Sequence, residues 1–283
     1  MRLDFGSRAP WVLAALVSTG CPDEDPHNAS EGDGTGSTGE ASTSGGTTEA
    51  TVDSTGAGEQ GGSSDETTAS PPPTQVNVGG TLEDFFLMGP IADAQISVLG
   101  LPEFMTTSDA ERSWLLEGLP VETSDRFVVA DSESYWGAVV PFRTELEDID
   151  DFELSQVSLE VIDIQITALQ EQDPTVMVED DTAVFLVAII QNTATGAVVT
   201  VDPPPAPGTH YAPDAGGQPI LNTNEIQWSI YPVAVFFNLQ PGPEGDYEIT
   251  VTHPDRECTV MDPRPPTFGR HINLIPVDCP PPA

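Results

Sequence analysis

Large hydrophobic residues are absent from one long stretch of the chain and recur with a regular period over most of the remainder. Alternating or β-branched runs occupy residues 76–82, 94–99, 113–116, 126–130 and 138–142. Gly89-Pro90, Ser108-Asp109 and Gly118-Leu119-Pro120 separate them. Period-2 alternation between turn residues predicts short strands with one buried face, and their even spacing predicts an all-β sandwich. Ala94, Ile96 and Val98 then face one way, Thr106 to Ala110 turns the chain, and Trp114, Leu116 and Leu119 return onto the same core. A second set begins at 183–190, nearly all apolar and of strand length, which suits a central strand. After a turn at Asn192 to Gly196 comes a return strand at 197–201. Further strands are predicted at 226–231, 233–238, 247–252 and 271–275. The proline-rich run 203–208 cannot lie in a central strand and reads as a rigid loop.

Between the two sets the pattern is mixed. Residues 145–153 are densely acidic, with Leu146, Ile149 and Phe152 at roughly helical spacing, and read as a solvated linker with a few anchoring side chains. Calcium takes such oxygens, but the acidic loop with its invariant glycine is absent, and Glu179-Asp180-Asp181 reads the same way. Val157, Leu159 and Val161 alternate, then Ile162, Ile164 and Ile166 do so one register over. This fits a strand with a slip or a short buried helix ending near Gln170, and the reading adopted is a strand that enters a short helix.

The region without apolar pattern runs from Cys21 to Gln75. It holds no Leu, Ile, Met, Phe, Trp, Tyr, Lys or Arg. With almost nothing to bury it cannot offset the entropy of ordering, so a disordered acidic tether is expected, with a span of about 40 Å. Pro71-Pro72-Pro73 stiffens its end. Ahead of it, residues 1–20 carry Arg2 and Arg8, a brief apolar run at 10–17 and small residues at 18–20. The run is far below the ~20 residues that span a bilayer, so this reads as a secretory signal peptide. The organisation expected is therefore signal peptide 1–20, tether 21–75, first β-sandwich 76–155, bridge 156–182 and second β-sandwich 183–283.

Charge narrows the partners. The 283 residues hold 46 acidic side chains against 8 Arg and no Lys, a formal charge of −38. Such a chain repels phosphate backbones, so no nucleic acid is expected, and it lacks the basic patches that hold proteins on anionic lipid. The cysteines are three, Cys21, Cys258 and Cys279, and simple pairing leaves one over.

Small residues followed at once by Cys21 and an acidic Ser/Thr/Gly coil resemble the lipobox and tether of bacterial lipoproteins. Ser18 stands where that family usually has Leu or Val. The resemblance implies cleavage after Gly20 and diacylglyceryl modification of Cys21, with Pro22 pointing to the outer membrane. The membrane would then be met through the anchor at Cys21, on the periplasmic or the outer surface. With Cys21 modified, Cys258 and Cys279 are left as a disulfide, which exported chains retain.

Two further sets of residues resemble carboxypeptidase regulatory-like, or transthyretin-like, β-sandwiches. The first is Val-Gly-Gly-Thr-Leu-Glu-Asp-Phe at 78–85, Pro-Ile-Ala-Asp-Ala-Gln-Ile-Ser-Val at 90–98, Trp-Leu-Leu-Glu-Gly-Leu-Pro at 114–120 and Ser-Tyr-Trp-Gly at 134–137. The second is Val-Phe-Phe-Asn-Leu-Gln-Pro-Gly at 235–242 with Tyr-Glu-Ile-Thr-Val-Thr-His-Pro at 247–254. Asp93 and Ala110-Glu111 depart from the family's glycines. The resemblance implies an all-β fold of two tandem immunoglobulin- or transthyretin-like antiparallel sandwiches joined by a partly helical bridge. It implies a non-catalytic spacer, adhesin or accessory module.

The chain has no nucleophile elbow, zinc-protease helix, phosphate loop or dinucleotide fingerprint. His253 and His271 are near Cys258 and Cys279 in sequence, but without metal-ligand spacing, and His210 beside Tyr211 reads as a loop residue. No cofactor and no metal are expected. The function expected is a monomeric, lipid-anchored surface protein presenting β-sandwich modules to a protein or glycan. The alternatives are a carbohydrate- or cell-wall-binding module, in which Trp114, Tyr135 or Trp136 would stack on sugars, and an accessory domain of a secreted hydrolase system.

Overall fold

The computed structural model describes residues 73–122, 126–189, 195–227, 232–243 and 245–281. The leader, Cys21 and the tether up to residue 72 lie outside the described residues, and Gln75, expected as the tether's last residue, opens the first strand. The described chain is mostly β-sheet with a single helix. In chain order the strands are β1 (Gln75–Asp84), β2 (Gln95–Val98), β3 (Leu101–Thr107), β4 (Ser113–Pro120), β5 (Arg126–Asp131), β6 (Tyr135–Phe142) and β7 (Ile149–Ser158). Helix α1 (Leu159–Gln170) comes next. Then come β8 (Ala183–Ile189), β9 (Val198–Asp202), β10 (His210–Pro213), β11 (Pro219–Leu221), β12 (Val233–Leu239), β13 (Glu248–Thr252), β14 (Thr259–Val260) and β15 (His271–Asp278).

One sheet path runs through both halves of the chain, in the order β11-β10-β12-β8-β15-β6-β5-β2-β3. Strand β15 makes the junction. It pairs in parallel with β8 over Ile272–Val277 and with β6 over His271–Asn273. On the other side of the first half, β1 pairs antiparallel with β4 and parallel with β7. The expected all-antiparallel pairing is thus corrected at three contacts. Period 2 tells which face a residue takes but carries no information on strand direction.

Three apolar clusters fill the space between layers. In the first half, β1, β4 and β7 close over β2, β5 and β6, burying Val78, Leu82, Ile96, Leu116, Leu119 and Leu154. In the second, β8, β12 and β15 pack over the β9–β13 pair with Phe185, Val187, Phe236, Ile249 and Ile275 between them. The third lies on the opposite face of β8, β12 and β15, where Trp136, Leu169, Val184, Leu186, Tyr211, Val235 and Phe237 meet the helix. Strands covered on both faces read as unbroken apolar runs, which is why β8 lacks alternation. The segments expected as separate sandwiches at 76–155 and 183–283 each carry a core. A third core and the β15–β6 pairing connect them.

Several elements differ from the sequence reading. The end of the acidic run, from Ile149 to Glu153, forms the first half of β7 and is not a linker. Its side chains at Asp150, Asp151 and Glu153 are exposed, while Leu154, Gln156 and Val157 turn inward. Asp148 accepts from the backbone and side-chain amides of Asn77 at 2.8 and 3.2 Å, which docks its start onto β1. Gly80 makes that docking possible, because a Cβ there would lie 1.9 Å from the Phe152 carbonyl oxygen. Of the strand expected at 226–231, Ile226 and Gln227 are outside any strand and the rest lies outside the described residues. Strands β3, β10, β11 and β14 are not among those expected. Residues 157–169 are a strand entering a helix, with Ser158 at the N-cap. The turn expected at 106–110 forms later, after Thr107 ends β3: Ser108 Oγ donates to the Ile91 carbonyl and accepts from Ala94 N–H, and Asp109 Oδ1 accepts from Glu111 and Ser113 N–H.

Candidate functional site

The residues singled out by sequence are scattered, and most have structural work. Cys258 and Cys279 are joined, with an S–S distance of 2.10 Å. Cys279 is fully buried against the second-half core. The bridge fastens the end of β15 to the loop before β14, and the Arg256 guanidinium donates to the Cys279 carbonyl at 3.0 Å. His253 is held by backbone on both ring nitrogens: Nε2 against Thr195 O at 3.0 Å, and Nδ1 accepting from Asp255 N–H at 3.0 Å. Among the described residues no three His, Cys, Asp or Glu side chains converge to hold a metal ion. No helix among them is long and apolar enough to cross a membrane.

Two of the three aromatic residues proposed for sugar stacking are buried. Trp114 is 4% exposed and meets Phe152 edge-on, and Trp136 is 2% exposed under the helix. Tyr135 is half-buried, and burial together with the nearby Asp84 carboxylate holds its hydroxyl above the usual tyrosine range. Asp84 is itself 1% exposed. Its Oδ1 accepts from the N–H groups of Phe86 and Leu87 and so fixes the turn after β1.

His271 has a role that sequence did not assign. It is the first residue of β15 and stands directly over Gly137 of β6, its register partner. A Cβ on Gly137 would lie 2.4 Å from the His271 ring. Nδ1 contacts the Gly269 carbonyl at 2.8 Å and Nε2 lies 2.9 Å from Asp131 Oδ1 at the end of β5. Burial alone would lower its pKa. The Asp131 carboxylate and the Gly269 carbonyl outweigh that, so His271 stays protonated to higher pH than an ordinary histidine. The pair fastens the first-half strands to β15. His210, expected in a loop, opens β10 and stacks on Phe236 with ring centroids 5.6 Å apart, and burial lowers its pKa.

A cleft of about 120 Å³ lies between α1 and the outer face of β8, β10 and β12. The sheet supplies Val184, Leu186, Tyr211, Val233, Val235 and Phe237 by simple alternation, since their neighbours face the second-half core. Trp136, Ile272 and the turn residues Phe85 and Phe86 form one side. The helix presents Ile162, Gln165, Ile166 and Leu169, spaced three and four apart so that they share a face. Of these only Leu169 is fully buried, so the helix rests on the sheet through its C-terminal turn. That turn is tied down by the Gln172 side chain, which donates to Pro219 O at 2.7 Å and accepts from Leu221 N–H at 3.0 Å. Among the described residues no charged side chain lines the cleft. Its polar groups include the Tyr211 hydroxyl, which donates to Gln165 Oε1, and burial pushes that hydroxyl's pKa well up. Tyr211 and Gln165 are 46 residues apart in sequence, and no local pattern marks either.

No family model and no curated protein matches this chain. Solved structures that resemble it include the Bacillus anthracis TIE protein, at 12% identity and a TM-score of 0.25, covering 73% of this chain and 34% of that one. The chain therefore spans about a third of that structure's length. Shaft pilin SpaA from Lactobacillus rhamnosus GG is similar at 7% identity and a TM-score of 0.23, covering 74% of this chain and 100% of the pilin. The major pilin protein T-13 from Streptococcus pyogenes stands at 7% and 0.20, covering 74% and 97%. Likeness this distant says nothing about what the chain does.

Proposed function

We propose that this chain is an exported, lipid-anchored surface protein, held at the outer membrane through Cys21, whose β-sheet body is a non-catalytic module for structure or for binding a partner. The observation that carries the reading is the Cys258–Cys279 disulfide. Such bridges persist in oxidising compartments, which is where an apolar leader and an adjoining lipobox-like cysteine would deliver the chain. The perturbed titratable groups favour a structural body: His271 joins strands, Tyr211 meets Gln165, and His210 stacks on Phe236. The two half-cores are read as diverged transthyretin-like modules. Burial of Trp114 and Trp136 argues against a glycan platform built on them.

The test is the intact mass of the mature protein from a bacterial membrane fraction. The expected result is an N-terminus at Cys21 carrying a diacylglyceryl thioether, with Cys21→Ala recovered outside the membrane fraction. A mature chain with an unmodified Cys21 thiol would overturn the anchor.

A further inference from the structure

We propose that the cleft between α1 and the sheet is a binding site for a small, uncharged, mainly apolar molecule of aromatic-ring size bearing one hydroxyl. This goes beyond the anchored-module reading and is tested separately from it. Size sets the first limit. A cavity of about 150 Å³ lined by apolar side chains accepts a benzene ring, and this one is about 120 Å³. The cleft also opens to solvent, so a single ring can enter it with one edge left exposed. Charge sets the second limit. None of the described lining side chains is charged, so an ionic ligand would lose its hydration without a compensating partner among them. The chain's charge of −38 disfavours anions further.

Polarity sets the orientation. The Tyr211 hydroxyl, on the sheet, donates to Gln165 Oε1, on the helix, which leaves the tyrosine oxygen able to accept and the glutamine NH2 able to donate. A ligand hydroxyl can donate to the tyrosine oxygen or accept from the glutamine amide, while its ring lies against Trp136, Leu186, Val235 and Phe237. The helix is suited to admitting a guest. Ile162 and Ile166 are only half-buried on its sheet-facing side, and Ile164 at its exposed edge is 47% exposed. Its N-cap residue Ser158 makes no side-chain capping bond, and its Oγ is buried without a partner.

The experiment titrates the full mature chain with phenol, and with benzene as the comparator without a hydroxyl, following melting temperature and amide chemical shifts. Saturable binding of both is expected, with phenol at least threefold tighter. Tyr211→Phe should abolish the preference for phenol. Val235→Phe fills the cleft from the sheet side, and Ile164→Trp covers its mouth from an exposed position where folding is not at risk. Each should weaken both ligands at least tenfold. Absence of saturable binding by either probe would overturn the proposal, as would undiminished binding in Ile164→Trp. Equal affinity for the two probes, unchanged by Tyr211→Phe, would remove the Tyr211–Gln165 pair from it.

Discussion

Gly137→Ala is a sharp test of how the two halves are joined. The added methyl would lie 2.4 Å from His271 Cδ2 and 2.5 Å from Nε2, closer than any real contact. The ring must then swing away from Asp131 or β15 must shift along β6. Overpacking of this kind typically costs about 1–3 kcal/mol. For a body of roughly 200 residues, each kcal/mol moves the melting temperature by about 2–4 °C. The assay is urea denaturation of the parent, Gly137→Ala, His271→Ala and the double variant. Because the obstruction is the histidine ring, Gly137→Ala should cost little in the His271→Ala background. The coupling between the two sites should therefore approach the full single-variant cost. The pH dependence supplies a second axis. The folded pKa of His271 is raised, so the Asp131 contact contributes fully below the unfolded value near 6.5 and is lost as pH rises through the folded value. The parent should lose stability through this group as pH rises above about 6.5. Gly137→Ala and Asp131→Asn should each lose less. If Gly137→Ala costs the same with and without His271, the close approach is not what the glycine serves.

The same geometry carries other expectations. Replacing Cys258 and Cys279 by Ala opens a loop with a sequence separation of 21 and should cost about 3 kcal/mol in the chain-entropy model, read as a lower midpoint and a larger urea m-value. Trp136→Ala removes a fully buried side chain from the third cluster and should cost about 3–5 kcal/mol. Tryptophan fluorescence and far-ultraviolet circular dichroism should still report one shared transition, and two separated transitions would show that the half-cores unfold independently. Ser108→Ala removes a buried hydroxyl that serves both Ile91 O and Ala94 N–H, and should cost about 1–3 kcal/mol by thermal melting.

Much of the fold was legible because one-sided burial writes itself as alternation. Strands β2, β4, β5 and β6 were found that way, and β8 by its unbroken apolar run. What escaped lacked that signature. Strand β3 has no fully buried residue and contains Pro102, so its pattern is that of an edge. In β7 the exposed Asp150, Asp151 and Glu153 are carboxylates, and their density hid the inward Leu154. Helix α1 is rich in Val and Ile, which favour strands, and only packing against the sheet decides for helix there. The disulfide was legible only through the lipobox resemblance, which takes Cys21 out of the count. The cleft and the His271–Asp131 contact were not, because each joins residues far apart in the chain and depends on parallel pairings that local periodicity does not encode.

Strand β15 has a consequence for how the protein comes to be made. It is flanked by β6 and β8, yet a chain emerging N-terminus first delivers it after every other described strand. Until its residues arrive, β6 and β8 lack their shared neighbour and the first and second halves have no seam. Parallel pairings between distant residues also form slowly. A chain threaded through a membrane pore would therefore reach the far side with its sheet still divided, and it would lock only when the closing stretch had cleared the channel.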